Sequence, residues 1–124
     1  MNVVDSSGWL EYFADGPAAS AFAPVIGKVD ELVVPTISLY EVFKRVSLQR
    51  GEGQALMAVA FMQQGRVSDL DEAIALSAAR ISAEAKLPMA DSVILATARA
   101  FSATLWTQDV DFAGMKGVQY IALE

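Results

Sequence analysis

The stretch LWTQDVDF at residues 105–112 joins an apolar run to a cluster of acids, and the interpretation of the whole chain depends on it. The run ATLW at 103–106 is typical of a short buried strand, and Thr107, Asp109 and Asp111 follow it. Because aspartate favours turns, the end of a strand is one explanation of these acids. In a parallel sheet, however, functional groups gather beyond the carboxyl ends of the strands. The acids after this strand can therefore be explained either as a turn or as one side of a binding site.

Further short apolar runs alternate with longer helical patterns along the chain. Strands are predicted at 2–4, 31–35, 66–70, 103–106 and 118–123. Helices are predicted at 6–15, 17–22, 36–51, 52–65, 71–86 and 88–102. This alternation is typical of an α/β sandwich built around a parallel sheet. We therefore expect one domain over residues 1–124, with a mainly parallel sheet of four or five strands.

The composition limits the chemistry that the chain can perform. It has no cysteine and no histidine, so disulfides, thiol nucleophiles, histidine bases and the usual zinc ligands are excluded. Carboxylates, hydroxyls, lysine and arginine remain. The net charge of −6 argues against a surface that binds nucleic acid through phosphate contacts alone. Either the partner is not nucleic acid, or part of the negative charge is clustered and neutralised in the working state.

No segment of the sequence resembles a signal peptide or a membrane span. The N-terminus MNVVDSSGWL lacks a basic region followed by a long apolar core. The longest unbroken apolar run, ALMAVAFM at 55–62, is far shorter than the roughly 20 residues that cross a bilayer. We expect a cytoplasmic protein with no membrane partner.

Asp5 and Asp109 each follow a predicted strand. Considered singly, each is explained as a helix cap or a turn former. Asp91 is harder to explain locally, because at helical spacing it shares a stripe with Ile94 and Leu95. A carboxylate near apolar surroundings is costly unless a positive group compensates it, although the helix dipole also favours an acid in the first turn.

Glu41 has a simple local explanation. It lies four residues before Arg45 on a predicted helix, and this is the favoured orientation for a surface ion pair. Local physics alone therefore gives Glu41 no functional role.

Four separated blocks nevertheless carry their acids in a common order. They are VVDSSGWLEYF at 3–13, ISLYEVFKR at 37–45, LPMADSVILATA at 87–98 and LWTQDVDF at 105–112. Together they resemble the PIN-domain family and, within it, the VapC-type toxins of VapBC toxin–antitoxin pairs. The resemblance spans nearly the whole chain.

The resemblance implies a three-layer α/β/α fold and a Mg²⁺- or Mn²⁺-dependent ribonuclease that hydrolyses RNA. The acidic site it implies consists of Asp5, Glu41, Asp91 and Asp109, with Asp111 as an auxiliary acid and Thr107 as a hydroxyl that orients its neighbours. Within that site we expect Asp5 and Asp91 to bind metal and Asp109 to complete a second metal position. Glu41 would bind metal or hold the attacking water. Oxygen ligands without His or Cys favour Mg²⁺ or Mn²⁺ over zinc.

The resemblance also implies protein partners. A toxin of this type is expected to form a homodimer and to be inhibited by a cognate antitoxin, often through a helix in an apolar groove. A basic antitoxin side chain would reach the acidic centre. Candidates for the groove, which could equally be core residues, are Trp9, Tyr12, Phe13, Phe43, Leu56 and Phe61. Basic residues that could contact the RNA backbone, or simply form a solvated helix face, are Lys44, Arg45 and Arg50.

Two other classes of small acidic α/β protein are alternatives. A non-enzymatic phosphoacceptor receiver-like signalling domain also has an aspartate after a strand, but it needs an acidic pair there and a late lysine. The chain has the single Asp5, and Trp106 and Thr107 stand where the lysine is expected. A haloacid-dehalogenase-like phosphatase needs Asp-x-Asp after the first strand, whereas Ser6 and Ser7 follow Asp5.

Overall fold

The computed structural model describes residues 1–122, which form five strands and six α-helices. The strands are β1 (Asn2–Val4), β2 (Leu32–Pro35), β3 (Arg66–Ser68), β4 (Thr104–Thr107) and β5 (Val118–Tyr120). The helices are α1 (Ser6–Phe13), α2 (Ala19–Gly27), α3 (Thr36–Arg50), α4 (Glu52–Met62), α5 (Glu72–Ala85) and α6 (Met89–Ala100). Two short 3-10 turns lie at Val29–Glu31 and Val110–Phe112. Within residues 1–122, no helix is both long enough and apolar enough to cross a membrane.

The five strands form one parallel sheet in the order β3-β2-β1-β4-β5. Val3 at its centre pairs with Val33 of β2 and Leu105 of β4. The chain runs from β1 outward to β3, then returns to the other side of β1 for β4 and β5. The direction therefore reverses between β1 and β4, and open α/β sheets leave a crevice at such a switch point. A receiver domain has the order 2-1-3-4-5, so the receiver alternative is wrong.

Helices cover both faces of the sheet. Val3 and Val4 are fully buried on opposite faces because side chains alternate along a strand. The face of Val3 packs with residues of α5 and α6, and the face of Val4 packs with residues of α1 to α4. The predicted three-layer α/β/α fold is thereby confirmed, with five strands that are all parallel.

The main departure from the predicted elements is α2. The helix predicted at 17–22 instead spans Ala19–Gly27 and continues through Pro24, which lacks the amide hydrogen that a helix interior uses. Burial of Phe22 and Ile26 against the sheet offsets that loss. The strand predicted at 31–35 begins one residue later, at Leu32, after a 3-10 turn. The strand predicted at 118–123 ends at Tyr120, and residue 123 lies outside the described residues.

Candidate metal centre

Four acidic side chains from distant parts of the sequence line one pocket of about 380 Å³ at the switch point. They are Asp5, Glu41, Asp91 and Asp109. Asp5 directly follows β1, and Asp109 lies two residues beyond β4. Glu41 comes from the second turn of α3 and Asp91 from the first turn of α6. The parallel sheet brings these elements together because its carboxyl ends share one edge.

Asp5 is held in place by both of its carboxylate oxygens. Its Oδ1 accepts a hydrogen bond from the Gly8 amide at 2.9 Å, which caps α1, and its Oδ2 accepts one from the Thr107 hydroxyl at 2.7 Å. The Ser7 hydroxyl lies 2.9 Å from both oxygens. Burial raises the pKa of Asp5, the three hydrogen bonds oppose this rise, and the charge of Asp109 adds to it. Asp5 is therefore a helix cap that also lies within the acidic pocket.

Thr107 links Asp5 to the acids that follow β4. Its buried hydroxyl donates to Asp5 and accepts a hydrogen bond from the Asp109 amide at 2.9 Å. Asp109 in turn accepts a hydrogen bond from the Asp111 amide at 2.9 Å, which caps the 3-10 turn. The segment after β4 is therefore a turn, and the same hydrogen bonds position Asp109, which lines the pocket.

Asp91 is surrounded by negative charge. It is half-buried, and burial together with the carboxylates of Asp109, Asp5, Glu41 and Asp111 raises its pKa to about 6. Each of these neighbours penalises the ionised form of Asp91. A divalent cation bound among the carboxylates would remove this penalty, which makes Asp91 a candidate metal ligand.

Glu41 belongs to this cluster through a contact that its helix alone does not provide. Its Oε1 accepts a hydrogen bond of 2.6 Å from the Ser6 hydroxyl at the start of α1. No part in the acidic site was predicted for Ser6 or Ser7, although the hydroxyls of both contact candidate site acids. The feature of the sequence that could have indicated these contacts is the pair of hydroxyl side chains directly after Asp5.

The described residues contain a set of oxygens that suits a hard divalent cation. Asp91, Asp109 and Asp111 each offer a carboxylate oxygen, and these atoms lie within 4.8 Å of one another. Carboxylate oxygens are the ligands that Mg²⁺ and Mn²⁺ prefer. Asp111 is the exposed member of this set and does not line the pocket itself. Asp5 lies beside the set, with its oxygens already accepting hydrogen bonds from protein groups.

Replacing Thr107 with Val is expected to remove the hydrogen bonds that hold Asp5 and Asp109 in place while keeping the volume of the side chain. Val has nearly the same volume but leaves the Asp109 amide without its acceptor and Asp5 without a donor. We expect a loss of about 1–3 kcal/mol in the free energy of unfolding. Any metal-dependent activity should fall about tenfold. Urea unfolding and turnover measurements check both effects.

Thr107→Ser is the matched control, since it keeps the hydroxyl and should keep both properties near those of the wild type. A Val variant equal to the wild type in stability and turnover would contradict the role given to these hydrogen bonds.

A larger groove of about 660 Å³ adjoins the acidic pocket and shares Ser7, Leu10 and Arg45 with it. Of the six candidates for an apolar groove, Tyr12, Phe13 and Phe61 line it. The others do not: Trp9 is fully buried, Phe43 packs against the core, and Leu56 is exposed elsewhere on α4.

The chain resembles solved structures over nearly its whole length. A toxin–antitoxin complex from Klebsiella pneumoniae has a TM-score of 0.81 at 22% identity, covering 99% of this chain and 100% of that chain. The Mycobacterium tuberculosis toxin VapC20, described as cleaving the sarcin–ricin loop, has a TM-score of 0.76 at 17% identity, covering 99% and 98%. VapBC-1 from nontypeable Haemophilus influenzae has a TM-score of 0.74 at 19% identity, covering 98% and 96%. These likenesses concern the fold.

No curated protein sequence matches the chain. The family model described as PIN domain matches residues 3–118, which include all four acids of the pocket and the turn after β4. The match covers almost the whole sheet and every helix that contributes an acid. With the sequence matched over this range and the architecture shared across its length, the chain belongs to the PIN domain family.

Proposed function

We propose that the protein is the toxin of a type II toxin–antitoxin system and a Mg²⁺- or Mn²⁺-dependent endoribonuclease that hydrolyses RNA phosphodiester bonds. The observation that carries this proposal is the meeting of Asp5, Glu41, Asp91 and Asp109 in one pocket at the switch point of the sheet. A chain without histidine or cysteine can assemble a hydrolytic site from such oxygens, provided that a cation offsets their charge.

Within this proposal Asp5, Asp91 and Asp109 hold the cation or cations, and Asp111 is an auxiliary acid whose carboxylate lies near those of Asp91 and Asp109. When bound, Mg²⁺ or Mn²⁺ lowers the pKa of a coordinated water and neutralises charge on phosphate oxygens. Glu41 is fixed by Ser6 through one oxygen, so its other oxygen is available to orient the attacking water or to bind metal. The carboxylates of the protein thus supply the negative charge that binds the cation and fix the positions of the cation and the attacking water.

The proposed partners are an RNA substrate, a cognate antitoxin and a second copy of the chain. Several similar folds come from complexes described as toxin–antitoxin or VapBC assemblies, which supports an antitoxin partner here. The groove that contains Tyr12, Phe13 and Phe61 suits an apolar helix, and the adjoining acidic pocket suits a basic side chain of that partner. Exposed Tyr40, Leu48 and Met57 are available for contacts between copies. The proposed location is the cytoplasm, where a cellular RNA substrate would be met.

Cleavage of RNA by the purified chain in Mg²⁺, in Mn²⁺ and in a chelator tests the function directly. We expect cleavage with either cation, loss of cleavage in the chelator, and recovery when the cation is restored. Cleavage that is unaffected by chelation would contradict the proposal, as would the absence of RNA cleavage in both cations. Gel analysis of a labelled RNA provides the measurement.

A further inference from the structure

Two basic side chains lie at the rim of the acidic pocket. Lys44 and Arg45 both line it and both are exposed. They follow Glu41 by three and four residues on α3, so one helix face carries the acid and the bases together. A polyanion that approaches the carboxylates along α3 therefore meets positive charge.

The two bases differ in their surroundings. The ammonium of Lys44 lies 5.9 Å from the centre of the Tyr40 ring, a cation–π distance. Arg45 lines both the acidic pocket and the adjoining groove. Its guanidinium takes part in none of the side-chain hydrogen bonds found among residues 1–122. Arg45 therefore presents its donors at the junction of the two cavities.

We propose that Arg45 is a positioning residue that binds the RNA phosphate next to the one being cleaved, and so directs a single strand from the acidic pocket along α3 toward the groove. This inference rests on the proposed ribonuclease function. A guanidinium presents paired N–H donors that match two phosphate oxygens, and it keeps its charge at every working pH. An anchor of this kind offsets the repulsion between RNA and a chain of net charge −6.

The test measures binding of a labelled single-stranded RNA in Mg²⁺ at several salt concentrations, with Asp91→Asn present throughout to prevent cleavage. Adding Arg45→Gln is expected to weaken binding roughly tenfold and to reduce the slope of log affinity against log salt by about 0.7, the value for one phosphate contact on a single strand. Arg45→Lys should restore the slope because it restores the charge.

Arg50→Gln is the matched control, since Arg50 is also an exposed arginine of α3 but lines only the groove. We expect it to change the affinity less than Arg45→Gln does. In the cleaving protein, Arg45→Gln should raise KM more than it lowers kcat. The inference would be overturned by an unchanged salt slope for Arg45→Gln, or by equal effects of Arg45→Gln and Arg50→Gln on affinity. The proposed function would still stand in that case, provided that the wild type cleaves RNA.

Discussion

Replacing Asp91 with Asn is expected to lower kcat/KM for RNA cleavage by about 1000-fold while raising the melting temperature of the metal-free protein. The loss of activity follows from removing one of the proposed metal ligands, a larger change than the loss of one outer hydrogen bond. The gain in stability follows because Asp91 is ionised among carboxylates, and its amide counterpart carries no charge.

The pH dependence of this stability gain has a definite sign. The pKa of Asp91 is raised from 3.8 to about 6 on folding, so the carboxyl favours the folded state below pH 3.8 and loses that contribution as the pH rises through about 6. The Tm of the Asn variant should therefore exceed that of the wild type most above about pH 7 and least near pH 4. Thermal melts in a chelator over this pH range provide the measurement.

Glu84→Gln is the control for this pair of effects, because Glu84 is an exposed carboxylate on α5 that does not line the pocket. This variant should cleave RNA as the wild type does, and the difference between its Tm and that of the wild type should not increase with pH in the same way. An Asn variant at position 91 that cleaves RNA as fast as the wild type would rule out Asp91 as a metal ligand.

Replacing Asp5 with Asn and with Ala is expected to separate its two roles. Both variants lose the negative charge at the pocket, and we expect kcat/KM to fall about 100-fold in each. Asn keeps an oxygen for the Gly8 amide and caps a helix as well as Asp does, but its NH2 group cannot accept the hydrogen bond that Thr107 donates. The metal-free Asn variant should therefore be more stable than the Ala variant. Ala removes the cap and leaves the Thr107 hydroxyl without its acceptor, which should cost about 1–3 kcal/mol of unfolding free energy.

Urea unfolding and RNA cleavage measured on the same preparations distinguish these effects. The result that would contradict the assignment is an Asn variant with wild-type turnover, since Asp5 would then serve only as a helix cap. Equal stability of the Asn and Ala variants would instead contradict its capping role.

Much of the architecture could be predicted from local pattern. The alternation of short apolar runs with helical segments gave the parallel α/β sandwich, because a strand buried on both faces is apolar throughout and a helix packed on one side is not. The main error was at α2, where the helix predicted at 17–22 instead spans Ala19–Gly27 and includes Pro24. Burial of Phe22 and Ile26 is a property of the assembled layers, and no local pattern contains it.

The candidate site was less evident locally. Helical spacing alone favoured a surface pair with Arg45 for Glu41, whereas the structure gives Glu41 a hydrogen bond to Ser6, 35 residues earlier. Asp5 and Asp109 each had a satisfactory explanation as caps, and the structure shows that both do cap turns or helices. The order of the four acids, compared with a known family, was the signal that singled them out.

The sequence by itself determined which chemistry is available and which elements form, since these depend on residue types and on their spacing along the chain. Only the tertiary structure decided that Asp91, Asp109 and Asp111 lie within reach of one cation and that Arg45 lies where the acidic pocket meets the groove. The physical reason is that distances between α6, β4 and α3 are set by strand order and by burial of both sheet faces. These distances depend on contacts between residues far apart in the sequence, which local patterns do not reveal.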